Sequence, residues 1–469
     1  MGFIEKLNKA IERNNSLLCV GMDPTRQVLP PGEDTFARLL SWAQALIEQT
    51  RDLVCCYKPN IAFFEQFGPK GIRALYEIIP MIPEDIPFIL DAKRGDIGST
   101  AEAYATACYQ WFKADAVTLS PYLGQDAVKP FVEDEEKSVF LLCQTSNPSA
   151  TEIQAHGNPE LYLHVAQVSK NWGKPGQIGL VVGATKPDAL KKVRQINPDA
   201  WILAPGIGAQ GGNLQLALTA GLRADGLGMI VPVSRSVMNA EDPRAAAAAL
   251  RDEINQIRAE VIATAQKQGT EDEKRFTTLI NGLFEVGCVK FGNFTLASGK
   301  QSPVYLDLRR LISYPEVLDL AVEAYIDTLV KLNYDFLAGV PYAALPIASI
   351  AASKLRRPMV YPRKEVKQHG TGQLVEGVFE QGQRAVMVED VITSGGSLLT
   401  SRDALQSVGL VADQAVVLVD REQGGVHALA EQGMQVYPVL KFSEILAVLH
   451  QEGKIDDATY KMVSEYLKG

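Results

Sequence analysis

The sequence has no excess of positive charge, no CxxC pair and no apolar run long enough to span a bilayer, and each absence removes a class of protein. A formal net charge of -9 argues against a general nucleic-acid binder, although local basic pockets for phosphate remain open. The six cysteines, Cys19, Cys55, Cys56, Cys108, Cys143 and Cys288, are scattered, several inside apolar runs, and read as reduced core residues. The start, Met1-Gly2-Phe3-Ile4-Glu5-Lys6, lacks the apolar region of a signal peptide, and the end, Tyr466-Leu467-Lys468-Gly469, lacks a Ser-Lys-Leu address. The expectation is a cytoplasmic protein with no membrane partner. At 469 residues and 46% hydrophobic content the chain is globular and too long for one ordinary core, so two or three domains are expected.

What is present, first, is a series of short apolar runs at fairly even spacing, each followed by a helix-like stretch. They are Leu17 to Met22, Leu53 to Tyr57, Ile86 to Leu90, Ala116 to Leu119, Val139 to Cys143, Ile178 to Val182, Trp201 to Ala204 and Gly226 to Ile230. Eight strands with intervening helices fit a (β/α)8 TIM barrel, and the same alternation permits an open doubly wound sheet. The polar residues favour the barrel, because nearly every run ends in one: Asp23, Lys58, Asp91 with Lys93, Ser120, Gln144 to Ser146, Gly206 to Gln210 and Arg235. A ring of strand ends converges on one ligand. The seventh and eighth ends, Pro205 to Gly212 and Ser234-Arg235-Ser236, fall where such barrels bind phosphate.

The third end is the most informative. Asp91-Ala92-Lys93-Arg94-Gly95-Asp96-Ile97 directly follows Ile86-Pro87-Phe88-Ile89-Leu90, and the period of two sends Asp91 and Lys93 to one side. Pro87 is tolerated at a strand start. Two carboxylates and two cations placed there form either a structural ion-pair network or catalytic machinery.

A charge-rich amphipathic helix follows Arg244 and is expected to run out in the polar stretch Gln268 to Lys274. The division is therefore 1–245, a helical linker at 246–274, and 275–469. In the last segment Ala385 to Val388 reads as a buried strand leading through Glu389-Asp390-Val391-Ile392-Thr393-Ser394-Gly395-Gly396-Ser397 into a helix. Thr393 to Ser397 suit a phosphate at a helix N-terminus, and Glu389 and Asp390 suit ribose hydroxyls. No Gly-Lys-Ser/Thr ends this loop, so it is not a Walker loop. Arg363-Lys364-Glu365-Val366-Lys367-Gln368-His369-Gly370-Thr371-Gly372 reads as a solvated charged loop or, beside a phosphate site, as a lid over polyphosphate. Asp420-Arg421, after Ala415 to Val419, is a further strand-end pair suited to an anionic group or to a plain surface ion pair.

The order Asp23, Lys58, Asp91-x-Lys93-x-x-Asp96, Ser146, Gln210, Arg235 resembles orotidine 5'-monophosphate decarboxylase over residues 1 to 245. The block Glu389 to Ser397, with Arg363 to Gly372, Gly339-Val340-Pro341-Tyr342 and Phe291 to Pro303, resembles orotate phosphoribosyltransferase over 275 to 469, a phosphoribosyltransferase-type α/β domain. Together they resemble bifunctional uridine monophosphate synthases, here with the decarboxylase first. The resemblance implies that Lys93, Asp91, Asp96 and Lys58 form the charge array, that Asp23 meets the ribose and Ser146 the pyrimidine, and that Gln210 and Arg235 grip the 5'-phosphate. Asp96 and Ile97 would reach a neighbour's site, so a homodimer or higher homo-oligomer is implied. In the transferase half, Mg2+-bound phosphoribosyl pyrophosphate would lie on Glu389 to Ser397, Lys367 and His369 with Arg363 and Lys364 would neutralise pyrophosphate, and Arg421 would bind orotate. The ligands implied are orotate, phosphoribosyl pyrophosphate and orotidine monophosphate, with no cofactor for the decarboxylase half and no side chain assigned as a metal ligand. Ala297 stands where many relatives have lysine, with Lys300 nearby, and the alternative for this half is a phosphoribosyl pyrophosphate sensor without catalysis.

Overall fold

The computed structural model describes residues 1–207, 212–295, 299, 301–363 and 374–468, and these form two compact units, Met1–Gln268 and Gly269–Gly469. In the first, eight parallel strands are β1 (Leu18–Met22), β2 (Cys56–Pro59), β3 (Ile89–Arg94), β4 (Ala116–Leu119), β5 (Ser138–Gln144), β6 (Ile178–Val182), β7 (Ile202–Leu203) and β8 (Met229–Val233). Their order is β2-β1-β8-β7-β6-β5-β4-β3. The two end strands meet through the bridges Tyr57 with Phe88 and Asn60 with Asp91, so the sheet is a near-closed barrel and not an open doubly wound one. Burial on both faces explains why the strands read as continuous apolar runs: β1, β2, β4, β6 and β8 are buried along their whole length.

Several strands begin later than the apolar runs do, and the shift matters at the polar ends. Lys58 lies inside β2, and Asp91 and Lys93 lie inside β3, where apolar runs alone had placed them just beyond. Pro87 consequently precedes β3, and its carbonyl accepts the Tyr57 N–H at 3.1 Å across the closing seam. Ladder hydrogen bonds, which any residue type can make, extend a strand past its last apolar side chain.

Glycine in mid-strand usually marks a close approach, and Gly179 on β6 does so here. A Cβ at this position would stand 2.5 Å from the Phe140 ring of β5 and 3.0 Å from the Trp201 carbonyl. Phe140 in turn meets Phe3, from the helix Phe3–Asn14, edge to face at 5.8 Å.

The second unit opens with a two-stranded antiparallel hairpin, β9 (Val289–Thr295) and β10 (Gln301–Leu306). A six-stranded sheet follows, made of β11 (Phe336–Gly339), β12 (Met359–Pro362), β13 (Val375–Glu376), β14 (Arg384–Ile392), β15 (Val411–Asp420) and β16 (Gln435–Lys441). Its order is β13-β12-β11-β14-β15-β16, parallel except for β13 at one edge. Glu389 and Asp390 again belong to the strand, β14, rather than following it.

The helix expected to run out at Gln268 to Lys274 instead continues unbroken from Pro243 to Glu285. Glutamine, glutamate and lysine are good helix formers, and Gly269 alone costs only about 1 kcal/mol against alanine. Ala247, Ile254 and Ile257 of its first half join the barrel core, while Leu279, Ile280 and Leu283 of its last turns join the core of the second unit.

Gly179→Ala is expected to destabilise the barrel by roughly 1–3 kcal/mol through overpacking against Phe140. Thermal denaturation of the full chain should show the barrel transition lowered by several degrees; an unchanged transition would mean that the ring has room to move.

Candidate active sites

The carboxyl ends of the barrel strands surround a cavity of about 760 Å3 whose lining includes Asp23, Lys58, Asp91, Lys93, Ser146 and Arg235. Six of the residues chosen from sequence for this half are thus brought together. Asp96 is not among the lining residues; its carboxylate accepts the Ile97 N–H at 2.8 Å, and Ile97 is exposed. Gln210 lies outside the described residues.

At one wall the Asp91 carboxylate is held from three sides. Lys58 Nζ, buried, is 2.9 Å from Oδ2, Lys93 Nζ is 2.6 Å from Oδ1, and the Thr118 hydroxyl donates to Oδ1 at 2.9 Å. Burial by itself would raise the Asp91 pKa, but the charges of Lys58 and Lys93 outweigh it and hold the carboxyl well below the usual carboxylate range. Burial likewise favours a neutral Lys58, and Asp91 together with Asp23 overrides it, holding the ammonium above its ordinary range. Asp91 is therefore an anion fixed beside two cations. Asp23 completes this wall, and its Oδ1 is buried without a hydrogen-bond partner among the described residues. Such an orphan acceptor suits a ligand hydroxyl.

The rest of the lining divides by chemistry. Thr145, Ser146 and Asn147 follow β5, with Gln154 folded back so that its side chain bonds both the backbone N–H and the hydroxyl of Thr145, at 2.8 and 2.9 Å. Leu142, Val181, Leu203 and Pro232 supply apolar surface. Ser234, Arg235, Ser236 and Gly206 lie together at the ends of β8 and β7. Gly21 permits this crowding, since a Cβ there would fall 1.9 Å from Ser234 Oγ.

Sequence reasoning chose Ser120 as the polar end of β4, whereas the cavity is lined by Thr118, two residues earlier. Strand alternation counted back from Ser120 would have reached Thr118.

The second unit carries a different arrangement. Glu389 is buried near the end of β14, its Oε2 accepting the Ser397 hydroxyl at 2.7 Å and its Oε1 the Asp390 N–H at 3.0 Å. Burial, and then the neighbouring Asp390 carboxyl, push its pKa up to about 8. Thr393 and Ser394 lead through Gly395, at φ 82°, into the helix Gly396–Ser407. The loop is packed from behind, because a Cβ on Gly425 would lie 2.3 Å from the Thr393 carbonyl. Arg421 donates its backbone N–H to Ile392 at 3.1 Å, which sets it beside the same loop. Its Nη2 is buried without a hydrogen-bond partner among the described residues, and burial lowers its pKa. Arg363 pairs with Glu376 of β13. Lys364, Lys367, His369, Ala297 and Lys300 lie outside the described residues.

Comparison with known proteins covers both units. Residues 16–250 match the Orotidine 5'-phosphate decarboxylase / HUMPS family, and residues 313–432 match the phosphoribosyl transferase domain. A "Bifunctional enzyme PyrF/PyrE" of Nostoc sp. is 41% identical over 98% of this chain and 99% of its own. An "Orotidine 5'-phosphate decarboxylase" of Thermomicrobium roseum is 46% identical over 56% of this chain and 99% of its own. Among solved structures, that of Leishmania donovani UMP synthase is matched at a TM-score of 0.52 and 41% identity, covering 100% of this chain and 99% of that one. With a decarboxylase-type barrel followed by a phosphoribosyltransferase-type domain, matched along its length, the chain belongs to the family of bifunctional PyrF/PyrE enzymes.

Proposed function

We propose that the chain transfers the phosphoribosyl group of phosphoribosyl pyrophosphate to orotate and decarboxylates the resulting orotidine monophosphate to uridine monophosphate. The observation that carries this reading is the ionised Asp91 held between Lys58 and Lys93 in the wall of a cavity that also holds Arg235. A sensor reading of the second unit is not favoured, because bifunctional enzymes match the chain from end to end. We assign decarboxylation to residues 1–245 and transfer to 275–469, joined by 246–274, and we place the enzyme in the cytoplasm. Among the described residues no helix is long and apolar enough to cross a membrane.

In the decarboxylase site the C6–carboxylate bond breaks with its electron pair left on C6, and CO2 departs. Asp91 stands as a fixed anion where the substrate carboxylate would sit, disfavouring the bound ground state, and Lys93 stabilises the developing carbanion and gives it a proton. Lys58 keeps Asp91 ionised. Asp23 takes the ribose, Ser146 the pyrimidine, and Arg235 with Gln210 the phosphate, whose binding energy closes the site around the reacting end. Asp96 is assigned to a second copy's cavity, which makes the working unit a dimer.

In the transferase site Glu389 and Asp390 are adjacent carboxylates with no ion-pair partner among the described residues, and no group of three or more His, Cys, Asp or Glu there could hold a metal ion alone. Two acids lacking a counter-ion suit Mg2+, which typically binds one or two carboxylates together with substrate phosphates. The ion would neutralise pyrophosphate as it leaves. Thr393 to Ser397 would wrap the 5'-phosphate, Arg363, Lys364, Lys367 and His369 would serve the pyrophosphate, and the Arg421 nitrogen, without a hydrogen-bond partner among the described residues, would take the orotate carboxylate.

Carboxyl-labelled orotate should release labelled CO2 only when Mg2+ and phosphoribosyl pyrophosphate are both supplied. Failure with orotate but release from orotidine monophosphate would remove only the transferase half of the reading.

Asp91→Asn should abolish decarboxylation and, at pH 8, destabilise the barrel by about 3–5 kcal/mol, because buried Lys58 loses its hydrogen-bonded counter-ion and keeps only the more weakly acting Asp23. Asp91 has a depressed folded pKa, so its stabilising contribution is present above the unfolded value near ~4 and is lost as pH falls below it. The gap between wild type and variant in urea titrations should therefore narrow on acidification; a constant gap would show that the pair is not electrostatic in origin.

Mixing inactive Asp91→Ala and Asp96→Ala chains should restore part of the decarboxylase activity through hybrid dimers with one intact site. No recovery would place Asp96 outside a shared site.

A further inference from the structure

The β3–β4 ladder breaks where the charge array begins. Ile89 pairs with Ala116 and Leu90 with Val117, yet the next pair is Arg94 with Leu119. Asp91, Ala92 and Lys93 therefore face the single residue Thr118. A bulge of this kind leaves backbone groups without ladder partners and re-aims side chains, and Lys93 adopts φ 45°, a left-handed conformation rare for residues other than glycine.

The Thr118 side chain joins the two ends of this bulge. Its Oγ1 accepts the Lys93 backbone N–H at 2.9 Å and donates to Asp91 Oδ1 at 2.9 Å. The directions follow from the chemistry: an ionised carboxylate only accepts, an amide N–H only donates, and a hydroxyl does both at once. Thr118 is 1% exposed and lines the cavity, so water does not readily replace either bond. On a regular strand, side chains two residues apart stand parallel; with the bulge, Lys93 Nζ closes to 2.6 Å from Asp91.

We propose that Thr118 is a positioning residue for decarboxylation, its hydroxyl fastening the bulge that aims Asp91 and Lys93 at the reacting carbon. This rests on the decarboxylase reading of the barrel. Thr118→Val keeps the shape and removes both hydrogen bonds, whereas Thr118→Ser keeps both bonds and removes a methyl group. In the full chain supplied with orotidine monophosphate, Thr118→Val should lower kcat roughly 10- to 100-fold, the scale expected for misplaced reacting groups. Affinity for uridine monophosphate, which lacks the carboxylate, should stay within about threefold, and Thr118→Ser should recover kcat to within about threefold of wild type.

Unchanged kcat in Thr118→Val overturns the proposal. So does a parallel fall of kcat and uridine monophosphate affinity in both variants, which would leave Thr118 a purely structural role. If Thr118→Val does not fold, Thr118→Ala is read by the same two criteria. A wild-type chain that releases no CO2 from orotidine monophosphate removes the decarboxylase reading, and this proposal with it.

Discussion

The contact on which the barrel's chemistry depends is the one between Asp91 and Lys58, two buried charges from strands at opposite ends of the sheet order. Neither is tolerable alone in that setting, since a buried charge without its partner costs several kcal/mol. The seam they cross is also joined by the Tyr57–Phe88 and Asn60–Asp91 bridges, with N–H bonds from Tyr57 to Pro87 and from Ile61 to Asp91. Closure of the barrel and assembly of the charge array are therefore coupled, because the strands that must meet to close the sheet are those that carry the two charges.

That coupling explains how an electrostatically awkward site is maintained. On the proposed reading Asp91 faces the substrate carboxylate and would repel it, so it cannot be held there by the ligand. It is held by Lys58 beneath, by Lys93 beside it, and by Thr118 from the neighbouring strand. Such preorganisation keeps the repulsion in place before substrate arrives, and binding energy from the distant phosphate end can then act against it.

Much of this was legible in sequence for one reason: barrel strands buried on both faces read as apolar runs, and polar residues at their ends stand out. Asp23, Lys58, Asp91, Lys93, Ser146 and Arg235 were all found that way and share one cavity. What was lost are features without charge or contrast. Thr118 sits inside an apolar strand, where threonine is an ordinary β former, and the bulge opposite it leaves no mark in composition. Asp96 is a different case: the resemblance assigned it to a neighbour's site, and it is not among the residues that line its own cavity. The polar stretch from Gln268 to Lys274 resembles a linker because charge was read as solvation, whereas the same residue types sustain the helix Pro243–Glu285.

Asp91 and Glu389 show how little of a site's chemistry lies in the identity of a residue. Both are buried carboxyls at the end of a parallel strand, and burial presses both toward the protonated form. Asp91 has two ammonium groups against it and is held ionised. Glu389 has another carboxyl against it and is pushed up to about 8. The first is a fixed anion already matched by fixed cations, suited to repel a substrate carboxylate. The second is an acid lacking a cation among the described residues, suited to bind whatever brings one. That contrast accompanies a decarboxylase-type barrel in one half of the chain and a phosphoribosyl transferase domain in the other. In each half the neighbouring charges, rather than the depth of burial, decide which chemistry the carboxyl can serve.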